Sequence, residues 1–430
     1  MVFHRFDRQI LVATESTEGT AETIAVGDFV ECLEDVSYTI TPFSLERPLV
    51  RPAFTSIPQY FASVGIASGQ LTVSQIEFTF TVELTANSAG NASADPGWDA
   101  LMIACGMEKF TGVKGEVITG STITNGPVLH REQVTDSSDN TQSVGTHFTG
   151  DAYYYYTGDT PGTGSMTGTF GSSAPTFTCS TAGTAIGSAW GFSMDAAAGD
   201  GSSATIELGL DGRRVTAKGC RGNCSIQFTA MDRVLMTFTM MGIVHEITDS
   251  SANRTGISYG SQLPATFTNA GLSVMEVGGS TNHTAALFQS MTLDFGNEIT
   301  MRQDANSGSG WKAAQVTGRA PTITVNPDAI AGGNTSATLY DYFEKWHTGT
   351  QSRMEWLLGT VVGGNSFHFK APGVQWETVA DGDRDNYTVY ECTGRLTGGS
   401  FGDSVVHDAT GATQHYDDKG ADNELVIIAQ

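Results

Sequence analysis

Three groupings in this chain have side chains suited to chemistry. Asp381, Asp383 and Asp385 alternate like the first ligands of a calcium loop, whose oxygens would surround a hard cation. Asn386 stands where such a loop needs glycine, and Cys392 where it needs a closing glutamate, so the spacing reads as a tight acidic turn. Cys220 and Cys224 could supply two thiolates, but a structural zinc site needs four ligands and no second Cys or His pair lies nearby. A hairpin turn carrying two small buried side chains accounts for them better. Gly256-Ile257-Ser258-Tyr259-Gly260 has the nucleophile-elbow pattern, which works only where a buried strand and a helix strain the serine between them. Here a polar stretch precedes it, and the match is a coincidence of a Ser/Gly-rich chain. The nine histidines form no HExxH pair, no phosphate-binding or dinucleotide glycine fingerprint occurs, and the carboxylates give no acid/base pair. The reading is of a protein that is not an enzyme, with no catalytic residue, no cofactor and no metal.

The elements around these groupings occur twice, which is more informative. Ser37-Tyr38-Thr39-Ile40-Thr41 and Gln75 to Leu84 alternate with period two, predicting two strands with one apolar face each. A helix follows, with Asp95 as N-cap, Pro96 first, Gly106 at its end, and Trp98, Leu101, Met102 and Cys105 at spacing 0, 3, 4, 7. In the second copy Ser290 to Asp294 matches the first strand and Thr322 to Val325 the second. Leu339, Tyr342, Phe343 and Trp346 repeat the helical stripe, with Thr338 and Asp341 as a capping box and Gly349 as its stop.

A chain of 430 residues with 39% hydrophobic content, 51 glycines and only 16% charged residues reads as folded, turn-rich and β-rich. The start of the chain has no apolar leader pattern and no stretch approaches the ~18 apolar residues of a membrane span, which predicts a cytoplasmic origin without a membrane segment. The six scattered cysteines read as free thiols. A net charge of −24, from 46 acidic and 22 basic residues, excludes a protein that grips nucleic-acid phosphates. It is compatible with a surface that DNA passes without sticking, and equally with simple solubility.

Residues 110–200 have no partner in the second copy and are rich in Thr, Gly and Ser, with an aromatic run from Tyr153 to Tyr156. Phe170, Phe177, Trp190 and Phe192 make a β-rich insertion the expectation. Asp211-Gly212 predicts a hairpin between Thr205–Leu210 and the strand at Cys224–Phe228, with Val234–Met240 next. Finishing strands in the second copy fall at Met354–Leu358, Phe367–Lys370 and Tyr387–Cys392. The polar stretch 248–262 reads as a linker. The segments inside each strand pair, 42–74 and about 295–320, read as loops too long and too apolar for free solvent, which suggests a partner surface.

Taken in order, these pieces resemble the tail tube (major tail) proteins of long-tailed, non-contractile bacteriophages. The resemblance rests on Gln9–Thr20, Phe78–Leu84, Pro96–Gly106, Leu210-Asp211-Gly212 and its hairpin, Leu293–Asn297, Thr317–Pro321 and Asp422–Leu425. It implies a mainly β fold of two tandem β-sandwich or barrel tube domains, each flanked by one α-helix, plus the β-rich insertion. The first tube domain would comprise 1–109 and 201–247, the outward-facing insertion 110–200, the linker 248–262 and the second tube domain 263–430. Such subunits form stacked rings around a channel for the genome, and two domains per chain would give a pseudo-sixfold ring from a trimer.

In that picture Ser37, Thr39, Thr41, Gln75, Glu77, Thr79, Thr81, Glu83, Thr292, Asp294, Thr322 and Thr324 line the lumen, a face of carboxylates and hydroxyls without Lys or Arg. Arg47, Leu49, Arg51, Ile57, Tyr60 and Phe61, with Ile299, Met301, Arg302 and Trp311, become the ring-stacking candidates. The resemblance also implies a tape-measure protein and tail terminator or distal tail proteins as partners, passage of DNA without specific binding, and a place in the virion tail after assembly in the host cytoplasm. The alternative is a carbohydrate-binding surface or virion β-protein, with the tyrosine run stacking on sugar rings. A glycoside-processing enzyme would need two carboxyl groups facing across a cleft, and no pair can be nominated.

Overall fold

Long alternating runs of Thr, Val, Ile and Phe make strands because branched and aromatic side chains pack well on a pleated, half-buried surface. The computed structural model of this chain is accordingly mainly β, with two short α-helices among the described residues. It describes residues 8–33, 35–42, 74–85, 96–111, 190–194, 202–210, 212–251, 253–257, 263–268, 288–307, 309–329, 340–358, 367–397 and 424–429. Short strands are also described between 44 and 60, 122 and 179, 273 and 284, and 405 and 415.

In chain order the elements are β1 (Arg8–Thr14), β2 (Ser37–Pro42), β3 (Ser44–Arg47), β4 (Ile57–Tyr60), β5 (Ser74–Glu83), α1 (Asp99–Ala104), β6 (Met107–Thr111) and β7 (Trp190–Met194). There follow β8 (Ala204–Leu210), β9 (Gly212–Thr229), β10 (Leu235–Ser251), β11 (Phe288–Asp294), β12 (Asn297–Gln303), β13 (Trp311–Arg319) and β14 (Thr322–Pro327). The last are α2 (Tyr342–Thr348), β15 (Ser352–Leu358), β16 (Phe367–Arg384), β17 (Tyr387–Thr397) and β18 (Val426–Ala429).

Pairing confirms the duplication and gives it a topology. In repeat one the strands lie in the order β2-β5-β10-β9, and in repeat two in the order β11-β14-β17-β16, antiparallel throughout. The two groups are joined edge to edge by β9 and β11, with Ile226 opposite Leu293 and Phe228 opposite Met291. The result is one antiparallel sheet of eight strands. Both final hairpins are long: β9 and β16 each have 18 residues. The first half of β9 stays paired with β10 and adds β8, which carries β1, on its other side, and the first half of β16 pairs with β15 and β18. The C-terminal β18 also pairs with β7, which pairs with β6, so the end of the chain stitches repeat two to repeat one. One continuous core results, in which Phe228 packs against Trp356 and Phe369, and Trp98 against Phe192 and Phe367.

Each long strand bends at a bulge, and both bulges lie opposite a glycine. In β9 the register shifts between Lys218 and Arg221, across from Gly242, and in β16 between Trp376 and Thr378, across from Gly394. A β-carbon on Gly242 would lie 2.4 Å from the Cys220 sulfur, and one on Gly394 2.9 Å from the Trp376 ring. The same accommodation is built twice, which marks the bulges as corresponding positions.

Several expectations are corrected. The segment from Cys220 to Cys224 is not a hairpin turn but part of β9: it starts in the bulge, where the preceding Gly219 takes a φ of +60°, and both thiols are fully buried. The stretch expected as a linker begins later than 248, because β10 runs to Ser251 and pairs Thr248 and Asp249 with β9. The expected long loops each contain a hairpin, β3–β4 in repeat one and β12–β13 in repeat two. Helix α1 starts at Asp99 rather than Pro96. The Trp98 indole is buried and donates to the Thr85 carbonyl at 3.1 Å, which holds residues 96–98 in a turn. Helix α2 is capped by the Asp341 carboxylate, which accepts from the Glu344 N–H at 3.1 Å; Thr338, Leu339 and Asp95 lie outside the described residues. Gly349 closes α2 at a φ of +68°, as expected from sequence. The acidic motif forms its tight turn between β16 and β17, with Asp385 and Asn386 both at positive φ.

Within 110–200 the structure describes short strands, five of them in one sheet. The ends of that segment, β6 and β7, belong to the main body instead.

Candidate functional site

The eight-stranded sheet has two unlike faces, set by period-two alternation in eight strands held in one register. One apolar row crosses seven strands, running Val82, Met236, Ile226, Leu293, Ile323, Gly394 and Trp376. Every side chain in it is buried. One residue along each strand lies the opposite row: Thr81, Thr237, Ser225, Asp294, Thr322, Arg395 and Gln375. These are polar without exception.

The lumen candidates sit on this polar face. Ser37, Thr39, Thr41, Glu77 and Thr324 are exposed, and Gln75, Thr79, Glu83, Thr292, Asp294 and Thr322 are partly so. Thr81 is buried: its hydroxyl donates to Asp35 at 3.0 Å and lies 3.3 Å from that of Thr237. Sequence reasoning missed the contributions of β9, β10, β16 and β17, among them Ser225, Gln227, Thr237 and Arg395. They were hidden because the order in which four strands pair is not written in any one of them.

Cations do reach this face, contrary to the expectation of none. Arg395 is half-exposed and bound to Glu377 at 2.8 Å, and Arg233 is paired with Glu83 at the edge of the β9–β10 turn. Each is matched to a carboxylate, so the face gains no net positive charge from them.

The sheet ends in two open edges. Among the described residues β2 pairs only with β5, and residues 375–384 of β16 pair only with β17. Inside the chain the same two kinds of edge, the last strand of repeat one and the first of repeat two, are joined as β9 and β11. That junction is well held. Asn297 donates to the carbonyls of Cys105 at 2.7 Å and Gly222 at 3.0 Å, Asn223 donates to Asp294 at 2.9 Å, and the Phe295 N–H donates to the Cys224 carbonyl at 3.0 Å.

The β12–β13 hairpin seals the junction from the side. Its Ala313 lies against Gly219 at the bulge, and its Lys312 carbonyl against Gly19, where a β-carbon would come within 2.1 Å. Buried Glu15 fixes both glycines, accepting from the Gly19 N–H at 2.8 Å and the Gly219 N–H at 2.7 Å, and from the Thr205 hydroxyl at 2.9 Å. Glu18 lies 3.5 Å from Arg221 and 4.0 Å from Arg302.

Of the stacking candidates, Ile299, Met301 and Trp311 are half-buried on this hairpin and Arg302 is exposed. Arg47, Ile57 and Tyr60 lie on the backbone of β3–β4, whereas Leu49, Arg51 and Phe61 fall outside the described residues.

The described cysteines are free, and burial pushes the thiols up, Cys392 to about 12; Cys32 rises to about 11 through burial and then the nearby Asp35 carboxylate. Such thiols are poor nucleophiles. No described helix is long and apolar enough to cross a membrane. No family model matches this chain, and no curated protein matches it.

Proposed function

We propose that the chain is a structural subunit of the tail tube of a long-tailed, non-contractile bacteriophage, assembling as stacked rings around a negatively charged channel for the genome. The observation that carries this reading is the β9–β11 junction. Two copies of one four-strand unit meet head to tail, and a head-to-tail contact that is not closed within the chain leaves both complementary edges open. Closing them against further copies removes exposed strand edges, which otherwise template uncontrolled pairing. Three chains would bring together roughly 24 strands, and at about 4.8 Å between strands the barrel would be about 37 Å across before tilt widens it. Three chains of two repeats also make the pseudo-sixfold ring of the family the sequence resembles.

The polar face then lines the channel. Its carboxylates and hydroxyls, with cations held by carboxylates, offer DNA phosphates no ladder of free cations, so a duplex slides past instead of binding. Tape-measure, terminator and distal tail proteins are the partners this role requires, and the virion tail, built in the host cytoplasm, is its place.

Negative-stain electron microscopy of the purified protein, at high concentration and after long incubation, tests the reading. Hollow rings or tubes with a regular axial repeat are expected. Dispersed compact particles under all conditions, including in the presence of preformed tail tips, would reject it.

A further inference from the structure

The two repeats are built alike but are not covered alike. In repeat one the bulge of β9 carries the β12–β13 hairpin, with Ala313 on Gly219. Beside it, Met102 and Cys105 of the α1 stripe are fully buried, and the Cys105 carbonyl takes the Asn297 amide from the root of that hairpin. In repeat two no described hairpin lies on the bulge of β16: Glu377 and Thr378 are exposed, and the Glu377 carbonyl accepts from the Trp346 indole of α2 at 3.0 Å. The matching stripe positions on α2 are Phe343, 47% exposed, and Trp346, half-buried. The Phe343 ring lies 5.5 Å from Trp346 and stacks at 6.4 Å on Tyr390, whose phenol pKa is raised by burial and then by the Asp341 and Asp381 carboxylates. An aromatic patch therefore flanks a bulge that, among the described residues, carries no hairpin, on the strand whose edge is open.

The chain also holds the piece that fits. The β3–β4 hairpin stands between β2 and β5 as β12–β13 stands between β11 and β14. Its sequence carries Leu45, Leu49, Val50, Ile57, Tyr60 and Phe61, together with Arg47 and Arg51. Opposite charge lies beside the aromatic patch: Asp381, directly across from Tyr390, and Asp383 are exposed on β16, and Glu377 is matched by Arg395. Among the described residues no repeat stands before repeat one for this hairpin to cover.

We infer that the β3–β4 hairpin docks on the β16 bulge and the Phe343–Trp346 face of α2 in a second copy of this chain, repeating between subunits what β12–β13 does within one. The assignment rests on the head-to-tail ring proposed above. It gives the hairpin a lateral role, clasping neighbours within a ring, in place of the ring-to-ring stacking suggested by sequence.

Two variants of the full chain test it, read beside the wild type in sedimentation and electron microscopy. Phe343→Asp alters a surface side chain, so the monomer is expected to keep its circular dichroism and to melt within a few degrees of the wild type, yet to lose ring formation. The pair Arg47→Cys and Thr378→Cys, in one chain, is expected to give disulfide-linked dimers and trimers in the assembled fraction, with none from Arg47→Cys alone. Normal rings from Phe343→Asp, or assembled rings of the double-cysteine chain without crosslinked species, would overturn the docking and leave the tube reading standing. Failure of the wild type itself to form rings under all conditions, preformed tail tips included, would remove the tube reading, and the docking with it.

Discussion

Gly242 and Gly394 show how much of this architecture depends on the absence of single atoms. Each faces a bulged strand from across the sheet, and each is where a larger neighbour folds over the backbone, Cys220 in one repeat and Val374 with Trp376 in the other. An added β-carbon would sit 2.4 Å from the Cys220 sulfur in the first case and 2.7 Å from a Val374 methyl in the second. Overpacking of this kind costs about 1–3 kcal/mol in a close-packed core. Gly242→Ala and Gly394→Ala should each lower stability by about that amount in denaturant unfolding. Because Cys220 is the specific obstacle to the first, Cys220→Ala should recover part of the loss, and a double-mutant cycle should show the two changes to be non-additive. Additive losses would mean that the glycine is required for another reason. Neither glycine stood out in the sequence, because each interrupts an otherwise ordinary strand pattern and its partner lies on a different strand.

Strands with one buried face were legible from their alternation. Gln75–Leu84 became β5 and Thr205–Leu210 became β8 within a residue or two, and the chain reverses between Leu210 and Arg213 where the Asp-Gly step predicts a turn, with Gly212 at a φ of +100°. The stop of α2 at Gly349 was equally readable. What could not be read were the features that depend on a partner strand: the length of β9 and β16, the bulges, and the pairing of β18 with β7. The hairpins inside the two long segments were missed because their alternation is shallow. In β12 no residue is buried, so the apolar signal that identifies a strand is weak there. Treating these segments as hairpins with a task at the subunit boundary leads to a prediction at this scale. Deleting residues 45–68 should leave a folded subunit, since β2 and β5 are antiparallel neighbours that a short connection can join. That subunit should fail to assemble, and ordinary tubes formed from it would show that the hairpin is dispensable.

At the scale of the molecule the question is what closes the sheet. In the proposed ring, eight strands with one wet face, one dry face and two unlike edges would form an arc of the barrel, and the dry face is already satisfied by the chain's own core. Only the edges remain, and backbone amides on an open edge exchange with solvent, whereas those in a ladder are protected. Hydrogen exchange read by mass spectrometry on free and assembled protein should therefore separate lateral closure from axial stacking. If rings close through the edges, assembly should slow exchange in peptides covering Ser37–Pro42 and residues 375–384 together, because one edge cannot be protected without the other. The β9–β11 junction, which models the same contact inside the chain, should be slow in both states and supplies the internal reference. Protection confined to the turn tips at residues 230–234 and 385–386, with both edges still exchanging freely, would instead mean that subunits stack without forming a closed wall. No channel could then be lined by the polar face.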